Sequence, residues 1–106
     1  MTEQMSETPI LDLLATMTAA SIDVSGLDEQ SLMLVRLAAL VAVDAPPASY
    51  LLNLGAASEM GIDEGRVRDV LAAVAPIVGT TRIVSATGNI ARALGIAIEL
   101  ADLESE

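Results

Sequence analysis

The sequence predicts an all-α domain of five to six helices. Apolar residues recur at helical spacing, capping residues and glycines or prolines divide the chain, and no alternating strand pattern occurs. At 106 residues the chain is long enough for one core and is interpreted as a single domain, 1–106. The hydrophobic fraction is 53%, with no Phe, no Trp and one Tyr, so the core must consist of aliphatic side chains.

Start and stop signals place the first two helices. Thr8 is a predicted N-cap with Pro9 at the first helical position, and residues 21–27 are predicted to form a loop. Asp28 is the predicted cap of the second helix, whose apolar residues leave almost no polar face. A helix of this kind has to be covered on most sides.

Proline and glycine mark the later boundaries. Pro46 and Pro47 are predicted to begin a third helix, which ends at Gly61. Asp63 is the predicted cap of a fourth helix, which ends at Gly79. Thr80 or Thr81 is then the predicted cap of a fifth helix, with Gly95 separating it from a short tail helix. The predicted helices span residues 8–20, 28–43, 45–60, 63–78, 81–94 and 97–104.

Charge and missing residue types exclude several functions. Five Arg, no Lys and fifteen acidic residues give a net charge of −10, which disfavours binding to nucleic acid and to anionic membrane surfaces. Without Cys or His the chain has no thiolate chemistry and lacks the commonest metal ligand, so neither a metal site nor a cofactor is predicted.

The N-terminus is acidic and lacks the features of a signal peptide, which predicts a cytoplasmic location. The longest apolar run, residues 37–43, is far shorter than the roughly 20 residues that cross a bilayer. So much aliphatic surface on a small helical domain predicts self-association, with helices 28–43 and 81–94 as the expected contact surfaces.

Three apolar segments carry a family resemblance. They are residues 34–40 (LVRLAAL), 56–64 (AASEMGIDE) and 70–79 (VLAAVAPIVG), which lie within a core of residues 34–95. In order and spacing they resemble the carboxymuconolactone decarboxylase and alkylhydroperoxidase D-like family. The resemblance implies the helical bundle of that family and assembly into a homo-oligomer, a trimer or hexamer.

The catalytic residues of that family are replaced in this chain. Its peroxidase branch carries C-x-x-C-x-x-H, and alignment on Gly61 places Pro47 and Tyr50 at the cysteines and Asn53 at the histidine. The lactone decarboxylase branch keeps the histidine alone. Asparagine can orient a substrate but is no acid or base near neutral pH, so the resemblance implies a protein without peroxidase activity.

Six residues remain as site candidates. Arg36 interrupts an apolar helix, which indicates either an anion clamp or a structural ion pair with Asp44, Glu59 or an acid of a neighbouring subunit. Tyr50 and Asn53 occupy the positions of the family's catalytic face and are the best pocket candidates, although a core or interface tyrosine is equally consistent.

The other candidates lie near helix ends. Arg82 and the adjacent threonines could hold a small anion at a helix N-terminus, or could simply cap it. Glu59 and Asp44 could act as a base if burial raised a pKa, although solvated helix-end charges are the simpler interpretation.

Three functional hypotheses follow. The first is an oligomeric module that binds a small organic molecule or has a structural role. The second is a cofactor-free lactone decarboxylase-like or isomerase-like enzyme acting on a small carboxylate substrate, with an arginine holding the carboxylate. The third, an acyl carrier protein modified at Ser31, lacks the aspartate that should precede the serine.

Overall fold

The computed structural model describes residues 7–59 and 63–104. Within those ranges the chain forms helices and short connections with no strand, so the all-α prediction is confirmed. The helices are α1 (Pro9–Val24), α2 (Glu29–Ala42), α3 (Pro47–Glu59), α4 (Glu64–Val78) and α5 (Thr80–Glu104).

Predicted caps define three of the helix ends. The Asp28 carboxylate accepts a hydrogen bond of 2.8 Å from the Ser31 amide at the start of α2, and Asp63 accepts one of 3.0 Å from the Arg66 amide in α4. Gly79 ends α4 with φ of 87° and ψ of 164°, a conformation essentially restricted to glycine. These cap predictions are confirmed, whereas the predicted stop at Gly61 lies outside the described residues.

Two sequence-based boundaries are wrong. Helix α1 continues to Val24, into the first half of the segment 21–27 that was predicted as a loop, because no glycine or proline interrupts the chain before Gly26. Helix α5 passes through Gly95 without a break, so the predicted helices 81–94 and 97–104 are one helix. A glycine inside a helix costs only about 1 kcal/mol, which does not by itself end it.

The core lies between α2 and its three neighbours, α3, α4 and α5. Leu37 and Val41 of α2 and Tyr50 of α3 are buried against Ala86 and Ala93 of α5. Ala86 and Ala93 are two turns apart on one face, and their small side chains allow α3 to approach α5 closely. The apolar face of α2 is thus covered within the chain, as predicted for a helix of this composition.

Helix α1 packs less closely than the others, and none of its residues is buried. Its large apolar side chains are each about half exposed or more. They are Ile10, Leu11, Leu13, Leu14, Met17, Ile22 and Val24. The expected contact surface on α2 is therefore largely used inside the chain, and α1 carries the main exposed apolar surface.

No helix in the described part of the chain combines the length and apolarity needed to cross a membrane.

Candidate functional site

An open groove of about 560 Å³ lies between α1 and the pair α2–α3. Its walls are mostly aliphatic, with a few polar groups from all three helices. The lining residues are Leu14, Met17, Thr18, Ser21, Ile22, Met33, Arg36, Ala39, Leu40, Ser49, Leu52 and Asn53. This volume is in the range of sites that hold small organic ligands.

Arg36 connects the two sides of this groove. Its Nη2 donates a 3.0 Å hydrogen bond to the Ser21 hydroxyl and a longer one of 3.5 Å to the Thr18 carbonyl. The ion pair with Asp44 that the sequence allowed is not formed within the described residues, where Asp44 has a different partner. Arg36 is therefore the one charged side chain among the described residues lining the groove.

Asn53 brings a second polar group to the same groove. Its Nδ2 is buried and has no hydrogen-bond partner within the described part of the chain. A buried donor without a partner costs about 1–3 kcal/mol, so the structure tolerates an unfavourable group at this wall. Arg36 and Asn53 are the two ligand-binding candidates that the fold brings together.

Tyr50 lies one turn before Asn53 but belongs to the core. Its side chain is completely buried, and its hydroxyl has no hydrogen-bond partner among the described residues. Burial raises the pKa of the Tyr50 phenol, and the negative charge of Asp44 raises it further. Tyr50 therefore does not line the groove, and the interpretation as a core tyrosine fits its placement.

Asp44 and Arg82 form hydrogen bonds at the turn between α2 and α3. Asp44 adopts a left-handed conformation with φ of 56°, and its carboxylate accepts a 2.6 Å hydrogen bond from the Ser85 hydroxyl. Arg82 Nη1 donates a 2.7 Å hydrogen bond to the carbonyl of Ala42, the last residue of α2. A cation at a helix C-terminus satisfies an unpaired carbonyl and complements the helix dipole.

Two further residues of α5 take part in the contacts at this turn and were not identified from the sequence. Asn89 Nδ2 donates to the Ala45 carbonyl at 3.2 Å, and Arg92 Nη1 donates to Asn89 Oδ1 at 3.1 Å. With Arg82 and Ser85 they form one polar stripe on α5, spaced three, four and three residues apart. That spacing was readable in the sequence, but the backbone carbonyls it serves were not.

A candidate base, Asp44, and a candidate anion-binding residue, Arg82, lie away from the groove. Asp44 and Arg82 lie at the α2–α3 turn beside α5, and neither lines the groove with Arg36 and Asn53. The side chain of Glu59 lies outside the described part of the structure. The groove thus offers a cation and neutral hydrogen-bonding groups.

A second groove, of about 520 Å³, lies among α3, α4 and α5. Its walls include Leu54 and Leu71, but its charged lining consists of Asp63, Glu64 and Arg68. Two carboxylates against one guanidinium give it the opposite sign of charge from the α1–α2–α3 groove.

No three side chains among Asp, Glu, His and Cys come together as a possible metal site in residues 7–59 and 63–104. Comparison with protein-family models, with curated proteins and with solved structures finds no match to this chain.

Proposed function

We propose that this chain is an oligomeric module that binds a small organic molecule in the α1–α2–α3 groove and has no thiol peroxidase activity. The observation that carries the proposal is the placement of Arg36 and Asn53 in one open, otherwise largely aliphatic groove. Few polar groups among apolar walls are the usual composition of a small-molecule site.

We also propose that the chain is a cysteine-free and histidine-free member of the carboxymuconolactone decarboxylase-like family. Support comes from the spacing of the apolar segments and helix-ending residues across 34–95. The peroxidase reaction of that family needs two thiols and a base, and this chain has Pro47, Tyr50 and Asn53 at those positions.

Binding accounts for the groove better than proton-transfer catalysis does. An enzyme of the lactone decarboxylase or isomerase type needs a base beside the bound substrate. Arginine and asparagine side chains are not general bases near neutral pH, and Asp44 is hydrogen bonded to Ser85 at the α2–α3 turn. The described groove therefore supplies recognition without an acid–base pair.

Methyl NMR tests the binding proposal directly. Met17 and Met33 line the groove, so their ¹³C-labelled methyl signals report on its occupancy. In a screen of small organic acids, alcohols and amines we expect at least one compound to shift both signals in a saturable manner. If no compound shifts either signal at millimolar concentration, the proposed binding function is wrong.

Self-association through α1 is the second part of the proposal. Exposed apolar patches on monomeric proteins are commonly about 300–600 Å², and larger ones usually mark interfaces. Four large side chains of α1 are more than half exposed and lie outside the groove lining, so they are available for an interface while the groove is occupied: Ile10, Leu11, Leu13 and Val24. The family resemblance predicts that the assembly is a trimer or hexamer.

Native mass spectrometry with α1 variants tests the assembly. Ile10→Glu and Leu13→Glu place charges on α1 without touching the groove lining, and we expect both to convert the oligomer to monomer. Ile77→Glu is the matched control, because Ile77 is 86% exposed on α4. A monomeric wild-type protein, or an oligomer that survives both α1 substitutions, would contradict this interface.

A further inference from the structure

The two grooves of this molecule differ in the sign of their charge. The described lining of the α1–α2–α3 groove carries one guanidinium and no carboxylate, whereas the other groove carries Asp63 and Glu64 against Arg68. In a chain of net charge −10, a groove whose described lining has a cation as its one charged group is a local exception. The overall negative charge disfavours anion binding, so a local cation is needed to offset it.

The donors in this groove are not all used by the protein. Nη2 of the Arg36 guanidinium donates hydrogen bonds to α1. The other two nitrogens, Nε and Nη1, have no protein partner within the described residues. Asn53 Nδ2 also lacks a partner in the described part of the chain, but it is buried and is therefore not a donor at the groove surface. A planar, two-oxygen acceptor matches the fork geometry of a guanidinium, which a single neutral hydroxyl cannot do.

The aliphatic walls of the groove indicate the chemistry of the uncharged part of the ligand. Leu14 and Met17 of α1 face Leu40 and Leu52 across the groove, and these side chains offer no hydrogen bonds. A ligand that fills the groove therefore has an aliphatic part beside its anionic group. A strongly hydrated inorganic anion would leave those walls without contacts.

We propose that the ligand of this groove is an amphipathic organic monocarboxylate. Its carboxylate accepts hydrogen bonds from the Arg36 guanidinium, and its aliphatic chain lies between α1 and the α2–α3 pair. The inference rests on the proposed binding function and adds the chemical class of the ligand. Because Arg36 also holds Ser21 and Thr18 of α1, the bound carboxylate and α1 share one guanidinium.

Decanoate is the probe, with decanol and decylamine as neutral and cationic compounds of the same chain length, all below their aggregation concentrations. Titrations are followed by the Met17 and Met33 methyl signals. We expect decanoate to bind at least tenfold more tightly than decanol, and decylamine to bind most weakly. A charge-assisted hydrogen bond is commonly worth on the order of tenfold to hundredfold in affinity.

Charge variants locate the carboxylate. Arg36→Gln should reduce decanoate affinity at least tenfold and leave decanol affinity nearly unchanged. Arg68→Gln removes the same charge from the other groove and should alter neither affinity by more than about twofold. Helical circular dichroism of both variants checks that they fold.

A second pair of variants avoids Arg36 and its contacts with α1. Leu52 lines the groove and is 78% exposed, so both Leu52→Glu and Leu52→Gln should be accommodated. The glutamate should weaken decanoate several-fold relative to the glutamine and strengthen decylamine.

The outcomes separate the two proposals. If all three compounds bind equally, or if Arg68→Gln weakens decanoate as much as Arg36→Gln does, the carboxylate assignment is overturned while binding in the groove stands. If none of these compounds shifts either methyl signal, the ligand class is overturned. The wider screen of acids, alcohols and amines then decides the binding function separately.

Discussion

The titration of the buried Tyr50 phenol can be followed on its own at alkaline pH, because the chain has one tyrosine, no lysine and no cysteine. Between about pH 9 and about pH 11.5 no other side chain titrates, since arginine stays charged and the α-amino group is already neutral. The completely buried ring and a hydroxyl without a described partner both disfavour the phenolate in the folded protein.

The direction and limit of the effect follow from this burial. Burial, with Asp44 adding a smaller contribution, raises the pKa of folded Tyr50 above the ordinary value of about 10. Above that pH the unfolded chain loses the proton while the folded chain keeps it. The free energy of unfolding should therefore fall as pH rises, by up to about 1.4 kcal/mol per pH unit, until the folded-state pKa is reached.

Two measurements check this prediction. Absorbance at the phenolate band should titrate above pH 10 in the folded protein and near pH 10 in urea. Urea unfolding at a series of pH values should show falling stability for wild type and no such fall for Tyr50→Phe. At neutral pH that variant should be as stable as wild type, or more stable by about 1–3 kcal/mol at most, because it removes an unpaired buried hydroxyl.

Two results would refute the reasoning. A folded-state titration at or below pH 10 would show that the phenol is solvated. A loss of more than about 1 kcal/mol in Tyr50→Phe at neutral pH would show that the hydroxyl makes a stabilising hydrogen bond.

Two further predictions concern helix ends. Gly79→Ala should lower the free energy of unfolding by about 1–3 kcal/mol, measured by thermal unfolding. The new Cβ would meet no atoms, so the loss would come from the backbone, which has φ of 87° at this residue. The Ser31 amide, and then its hydroxyl, hold the pKa of Asp28 below its usual range. Wild type should therefore lose more stability than Asp28→Asn as pH falls through the acid range, measured as urea midpoints near pH 6 and pH 3.

Each of these predictions has a control. Gly88→Ala also introduces a Cβ into open space but inside helix α5, and it should raise stability by up to about 1 kcal/mol. A loss of stability in Gly88→Ala comparable with that in Gly79→Ala would contradict the backbone explanation. At neutral pH Asp28→Asn should match wild type, because asparagine is also a good N-cap. If wild type and Asp28→Asn lost equal stability at low pH, the Asp28 carboxylate would be excluded as the cause of the loss.

Local signals in the sequence were sufficient for much of the fold. Asp28 and Asp63 act within one helical turn, through side-chain bonds to nearby amides, so sequence alone identified them. Gly79 was identified for the same reason, since its role depends on its own backbone conformation. Gly95 shows the limit, because a glycine weakens a helix slightly and neighbouring contacts decide whether it ends.

The candidate site was only partly predictable. Arg36 was identified because it interrupts an apolar helix, and Asn53 because the family resemblance places it at the histidine position. The structure places both in one groove. Tyr50 lies one turn from Asn53 on α3 yet is buried in the core, in the same cluster as Ala86 and Ala93 of α5. Arg82 binds the carbonyl of Ala42, forty residues away in sequence, which no local pattern reveals.

The sequence by itself determined the all-α class, the lack of thiol and imidazole chemistry, and most helix boundaries, because composition and capping act within a few residues. Only the tertiary structure decided that α1 is the exposed apolar helix and that Arg36, rather than Arg82, lies in the groove. The physical reason is that burial and long-range hydrogen bonds depend on which helix faces meet. Helical periodicity defines those faces but does not pair them.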